Sequence, residues 1–179
     1  PTVCESVAVA KLLAMNMSAG AKLHIAHVTS AETVTVLRAF AGTSDFTAET
    51  CPQYLFSTED DVDRAGVYAK VNPPIRSKRD QDALWQAIAD GTITHVTTDH
   101  APFAKAEKAA SEGHFFDAPP GSPGIETLLP GMLDAVADGR LTLKQAPAPC
   151  CANDARLYGL ATRKGTLLPG ADADMAIVD

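Results

Sequence analysis

The sequence predicts an α/β fold built on a parallel sheet, and three features carry that reading. Segments with helical spacing alternate with short β-branched runs along the chain. One of those runs, TITHVTT at 92–98, ends abruptly on Asp99 and His100. A long loop rich in Pro and Gly, 100–123, then follows, and loops of that length in a compact domain are usually functional.

Taken in order, ESVAVAKLLAMNMSA (5–19) joins helix formers to apolar residues at helical spacing, with Gly20 at its end. AKLHIAHV (21–28) reads as a short strand. SAETVTVLRAFAG (30–42) reads as a helix, with Ser30 as N-cap and Gly42 as its stop. DFTAETCP (45–52) is a second strand ended by Pro52. The stretch 54–76 is expected to be irregular, its acidic middle solvated. SKRDQDALWQAIADG (77–91) is a helix that starts at Ser77 or Asp80 and sets Leu84, Trp85, Ile88 and Ala89 on one face. The strand TITHVTT and the loop come next, and GIETLLPGMLDAVADG (124–139) returns to helix. Residues 141–160 are expected as helix, proline-broken turn and helix, and 165–179 as a turn and a strand.

The chain has 179 residues, 46% of them hydrophobic and 21% charged, with a net charge of -7. That composition suits one soluble domain and disfavours a phosphate-backbone partner, so no nucleic-acid role is expected. No apolar run approaches a membrane span. The four cysteines, Cys4, Cys51, Cys150 and Cys151, form no C-x-x-C pair, and they read as reduced thiols of a cytoplasmic protein. The chain opens on Pro1 rather than methionine, with no signal peptide, which reads as a segment of something longer.

In a parallel sheet the C-terminal strand ends carry the chemistry. Strand alternation sets His24 and His27 on opposite faces, one toward a site and the other outward among helices. Taken alone, each is read as a structural histidine before it is read as a ligand. His95 lies mid-strand and reads as structural, and His114 sits uninformatively in the loop. Asp99 says more, because a carboxylate after a β-branched run is costly to bury unless it is paired, bonded or bound to a metal. The competing account makes it a structural cap of the turn at Pro102. One His and one Asp from separate strand ends could ligate zinc, although a catalytic zinc takes about three protein ligands. The residues alone therefore point to a parallel α/β enzyme with a possible metal-dependent hydrolase site.

HIAHVTSAE, TAETCPQYL, VNPPIRSKRDQDALWQAIADGTI, TDHAPF, PGSPGIETLLPGMLDAV and KGTLLPGADADMAIVD, in that order, resemble the second half of the cyclic amidohydrolases. That group includes dihydropyrimidinase (hydantoinase), allantoinase and dihydroorotase. The resemblance implies a partial (β/α)8 TIM-type barrel over 1–163 and, over 164–179, the start of a return strand into a flanking β-sandwich. It implies a binuclear zinc site in the family. His27 matches the histidine on the more exposed metal. Asp99 matches the last-strand aspartate that ligates the buried metal, takes a proton from the bridging hydroxide and protonates the leaving amide nitrogen. Asn72 matches a position that holds the ring, and Pro120 and Gly121 match the loop whose backbone faces it. Many relatives carry Asn where Pro120 stands, and a proline keeps only the acceptor half of that contact.

For substrate, ETCPQYL and Phe103 look like the hydantoinase and dihydropyrimidinase branch. Dihydroorotases typically carry histidine at the Phe103 position, to hold the substrate carboxylate. VNPPIR, Ala101 and APPGSPGIETLLP look more like dihydroorotase. The favoured reading is a hydantoinase-like ring opener, then dihydroorotase, then allantoinase. The family's H-x-H pair, carboxylated lysine and further strand-end histidine have no counterpart here, since no H-x-H occurs in the chain. The chain is also shorter than the ~250 residues of a full barrel. It is accordingly expected to be inactive alone and to need a missing N-terminal half or self-association. A non-catalytic, dihydropyrimidinase-related assembly protein is the alternative from another class, and retention of both His27 and Asp99 argues against it.

Overall fold

The computed structural model describes residues 2–178. Pro1 and Asp179, the ends of the first and last segments read above, lie outside the described residues. Helix α1 (Thr2–Ala19) leads into strand β1 (Leu23–Ile25), helix α2 (Ala31–Phe40) and strand β2 (Phe46–Thr50). Short helices α3 (Pro52–Phe56) and α4 (Glu59–Ala65), a 3-10 turn at Gly66–Ala69 and helix α5 (Lys78–Ala89) lead to β3 (His95–Val96). Helices α6 (Lys105–Ala109), α7 (Ile125–Ala137) and α8 (Asn153–Leu157), with a 3-10 turn at Phe115–Asp117, complete the described elements, α8 continuing a π-helical turn at Ala148–Ala152. The sheet has three strands in the order β1-β2-β3. Both pairings are parallel, with His24 beside Thr47 and Glu49 beside His95. It is an unclosed run of strand-and-crossover units, as a partial barrel requires.

One face of this sheet carries the core. Ile25, Ala48 and Val96 pack with Val9 and Leu13 of α1, Val34 and Leu37 of α2, and Leu84 and Ile88 of α5. The Trp85 indole N–H donates to the Leu55 carbonyl at 3.0 Å, which fixes α5 against α3. Ser30 caps α2 by accepting from the Thr33 amide. Asp80, buried in the first turn of α5, reaches two helix ends at once. Its carboxylate accepts from Ser77 in a capping box and from the Ala31 amide at 2.9 Å.

The strands are shorter than the β-branched runs. Beyond their assigned ends, pairing continues through single bonds, such as Thr94 N to Ala48 O at 3.0 Å and Thr97 N to Thr50 O at 3.0 Å. The stretch 54–76, expected to be irregular, holds α3, α4 and the 3-10 turn, because Pro52 at N1 and the Thr58–Asp61 capping box start new helical turns. The expected loop 100–123 carries α6. Residues 143–146 form only turns where a helix was expected. Residues 172–178 are not in a strand, because a strand exists only through a partner and none among the described residues pairs with them.

Asp80→Ala strips both helix N-termini of an acceptor. It is expected to lower unfolding free energy by about 2 kcal/mol in urea denaturation, and a change under ~0.5 kcal/mol would show that the Asp80 bonds are not needed.

Candidate functional site

His27 and Asp99 both lie just past C-terminal strand ends, His27 after β1 and Asp99 after β3. They are also the non-glycine residues with positive φ among the described residues, at 40° and 44°. That left-handed conformation costs an L-residue about 1–2 kcal/mol, and such strain clusters at functional sites. Its neighbours hold it in place. After His27, Val28 N donates to Glu49 O at 2.8 Å, and Thr50 Oγ1 donates to Val28 O at 2.8 Å. The Glu5 carboxylate of α1 accepts from the Thr29 amide at 3.0 Å, from the Thr29 hydroxyl and from Ser30 Oγ at 3.2 Å. Arg76 Nε donates to Thr29 Oγ1 at 3.1 Å, and its guanidinium lies 3.7 Å from Glu5.

Past Asp99, Ala101 N donates to Ser122 O at 3.0 Å. His100 Nδ1 accepts from the Gly124 amide at 3.1 Å and so caps the start of α7. Gly124 has to be glycine, since a Cβ there would lie 2.4 Å from the Thr98 carbonyl oxygen. Asp99 itself is exposed, and its charge reaches the end of β2. Burial chiefly, with Glu49 and Asp99 adding, pushes the Cys51 thiol well above its ordinary range, and burial likewise raises the Tyr54 phenol.

The expected substrate loops converge on the same end of the sheet. Asn72 is exposed, and the Asn72–Pro73 peptide is cis. Tyr54 Oη donates to the Pro73 carbonyl at 3.0 Å, tying that loop to α3. Pro120 is exposed and Gly121 buried, and Gly121 N donates to Lys70 O at 3.1 Å. Asn72 and Pro120–Gly121 are thus joined through Lys70. His27 and Asp99 follow the outer strands β1 and β3, with β2 between them.

The alternation expected for His24 and His27 does not hold. β1 ends at Ile25, and the period of two lapses before the left-handed His27. His24 does not pack outward among the helices. It lies on the sheet face opposite the core, Nδ1 2.6 Å from Thr47 Oγ1 and Nε2 2.9 Å from Glu49. Its ring meets His95 edge-on at 5.3 Å. His95 is buried, as a structural residue should be, yet its Nε2 and the facing Asp154 Oδ1, 3.8 Å apart, are both buried without a hydrogen-bond partner. Burial pushes the Asp154 carboxyl up; His95 and His24 oppose the shift and Glu49 adds to it.

Among the described residues, no group of three or more His, Cys, Asp or Glu is arranged to hold a metal ion. His27 and Asp99 give two donors where a catalytic zinc takes about three, so this chain's residues do not by themselves fit the metal centre. Sequence reading missed Glu5, Arg76, Tyr54 and the cap made by His100. Only Glu5, an acidic residue in a helix's first turn, carried a local signal, and that signal reads as a helix-dipole effect.

A model of the amidohydrolase family matches residues 3–179. A dihydroorotase of Halobacterium salinarum is 41% identical over 175 residues, covering 98% of this chain and 40% of the relative. A D-phenylhydantoinase of Escherichia coli is 38% identical over 184 residues, covering 100% of this chain and 40% of the relative. Among solved structures, an L-hydantoinase (dihydropyrimidinase) from Arthrobacter aurescens superposes with a TM-score of 0.92 at 35% identity, over 97% of this chain and 39% of that one. This chain therefore spans about 40% of the relatives' length. At this likeness its three parallel strands are part of the family's TIM-type barrel.

Two outcomes follow. His27→Gly is expected to be more stable than His27→Ala by about 1 kcal/mol, and Asp99→Gly than Asp99→Ala likewise, because only glycine is relaxed at that φ. Equal urea midpoints within each pair would show that the left-handed geometry is not kept. A carboxyl whose folded pKa is raised adds stability below its ordinary pKa of 3.8 and loses that stability as pH rises through the folded value. Asp154→Asn is expected to flatten that loss and leave stability at pH 7 unchanged or higher by roughly 1 kcal/mol. A loss larger than that would make the His95–Asp154 pair net stabilising.

Proposed function

This chain belongs to the amidohydrolase family, and we propose that it supplies one part of a metal-dependent site that hydrolyses a cyclic amide or imide ring. The observation that carries the proposal is the strain at His27 and Asp99, held left-handed past the ends of parallel strands in a chain otherwise free of positive-φ non-glycine residues among those described. In this reading His27 and Asp99 are two of the donors to the metal centre, and the remaining donors come from outside this chain. Zinc, when bound, supplies water that ionises near neutral pH. Asp99, an exposed carboxylate at a rigid strand end, would serve as the proton acceptor and donor beside the leaving amide nitrogen. Asn72 and the backbone at Pro120 and Gly121 orient the ring. Residues 1–163 belong to the barrel and 164–179 lead toward a further domain.

Hydantoin- or dihydrouracil-like rings are favoured over dihydroorotate. Phe103 lies against Gly121, its ring 2.8 Å from where a Cβ would sit. It gives the site an apolar edge with nothing to neutralise a substrate carboxylate. Dihydroorotase is the second reading, supported by the 41% identity to the Halobacterium salinarum dihydroorotase. A reduced compartment such as the cytoplasm is part of the proposal, because Cys4, Cys51, Cys150 and Cys151 are all free. No helix among the described residues is long and apolar enough to cross a membrane.

The test is bound zinc per chain by elemental analysis, alongside hydrolysis of hydantoin, dihydrouracil, dihydroorotate and allantoin. The chain alone is expected to hold little zinc and to turn over none of the four. Joined to a segment bearing the H-x-H pair, it is expected to open a ring, and Asp99→Ala should lower that rate by roughly 10³-fold or more. Turnover by the chain alone would sink the claim of an incomplete site. Full activity in Asp99→Ala would sink the proton role.

A further inference from the structure

Lys108 is the lysine buried in this fold, only 5% exposed although it lies in the charged run KAEKAASE. A buried ammonium persists only where its donors are used. Lys108 Nζ donates to two backbone carbonyls, Lys70 O at 2.8 Å and Tyr68 O at 3.2 Å. The Lys70 oxygen also accepts from Gly121 N at 3.1 Å, which fills both of its lone pairs. On its other side Gly121 is pressed against the loop that begins at Asp99. A Cβ there would lie 2.3 Å from Ala101 O and 2.8 Å from the Phe103 ring. One file of contacts thus runs from the Lys108 amine through the Lys70 carbonyl and Gly121 to Ala101.

The surrounding groups enclose this amine without competing for it. Lys70 Nζ turns away to Phe116 O at 2.7 Å and lies over the Phe115 ring. Tyr68 Oη donates to Glu112 at 2.9 Å, and Lys105 covers the Tyr68 ring. Burial, with the Lys70 charge adding, holds the Lys108 amine below the ordinary lysine range. Deprotonation would not break the file, since a neutral amine keeps two N–H bonds for its two carbonyls.

We infer that Lys108 is a positioning residue that sets the Asn72 loop and the Pro120–Gly121 loop in register with each other and with the loop after Asp99. Its importance for a reaction rests on the reading that those loops face the ring. The register itself does not rest on that reading. The backbone stretch 68–71 leads directly into Asn72, and in it the Lys70 carbonyl is the point bonded to the Gly121 loop while Val71 is buried in the core. Without the Lys108 donors, the single Gly121 N to Lys70 O bond is left to join the two loops, and their register loosens. Lys108 itself touches none of the positions assigned to the ring, so its effect is on geometry and not on chemistry.

The test is amide hydrogen exchange by NMR on the metal-free chain, without substrate. Its outcome is therefore independent of zinc content or turnover. Lys108→Met keeps the apolar stem and deletes only the donors. Exchange at Gly121 and across 68–72 is expected to rise about tenfold or more, while 31–40 and 78–89 keep their protection. In the native chain the Lys108 side-chain N–H signal is expected to be visible and slow to exchange with water, which a stem that merely packs would not produce. Gly121→Ala pries the same file from the opposite side and is expected to release the same stretches. Unchanged exchange at Gly121 in folded Lys108→Met, or a Lys108 signal lost to rapid exchange, would overturn the assignment. Global unfolding of both variants would also overturn it, by making Lys108 a core residue and not a local fastening.

Discussion

The strand ends depend on the last two residues of β2. Glu49 O receives Val28 N on one side, and Thr50 O receives Thr97 N on the other. Thr50 adds its hydroxyl to the Val28 carbonyl. The central strand therefore holds the segments that follow both outer strands: His27 turns left-handed between Ile25 and Val28, both joined to β2, and Asp99 two residues past Thr97. A left-handed residue is stable only where its flanks are over-determined. Here the flanks are fixed first by the ladder and then by other segments: the Glu5 and Arg76 side chains behind His27, the Ser122 carbonyl and the Gly124 amide behind Asp99.

Charge is used at two depths. Close to the strand ends, Glu5, Arg76 and Lys108 are partly or fully withdrawn from water, and their hydrogen bonds are spent chiefly on backbone groups and on hydroxyls beside them. Such arrangements add little net stability, because desolvation offsets most of the attraction. Their effect is to remove alternatives, since each leaves a neighbouring loop one position in which a buried charge is satisfied. On the sheet face opposite the core, His24, Glu49, His95 and Asp154 form a less complete set, and the gap between His95 and Asp154 leaves two buried atoms unpartnered.

The order of helices and strands was legible because periodicity and caps are local. Ser30, Ser77 and Asp80 stand where capping places them. Strand lengths were not legible, since β-branched residues mark a preference for extended backbone while a strand ends where its partner does. For the same reason 172–178 could not be read from IVD-type residues alone. Asp99 stood out as a carboxylate after an apolar run, but its backbone conformation did not, and neither did that of His27. Period two could not assign faces to His24 and His27, because it presumes a strand that runs on past Ile25. Lys108 was invisible for a different reason. Nothing in a run of Ala, Glu and Lys says which amine will be drawn inward by two carbonyls some forty positions earlier.

Stability alone does not account for this end of the molecule. A chain selected only to fold would place glycine or asparagine where φ is positive and would leave Lys108 in water. Instead a histidine and an aspartate take the strained positions, and the segments around them are tied by groups that are themselves costly to bury. Each departure fixes a direction in space: a donor at the end of β1, a carboxylate at the end of β3, and two loops set against the second of these. Two donors fall short of the roughly three that a catalytic zinc takes, so these two directions do not complete a metal site by themselves. On the proposed function the strain has a use: it holds His27 and Asp99 in fixed directions before any donor from beyond these three strands would join them.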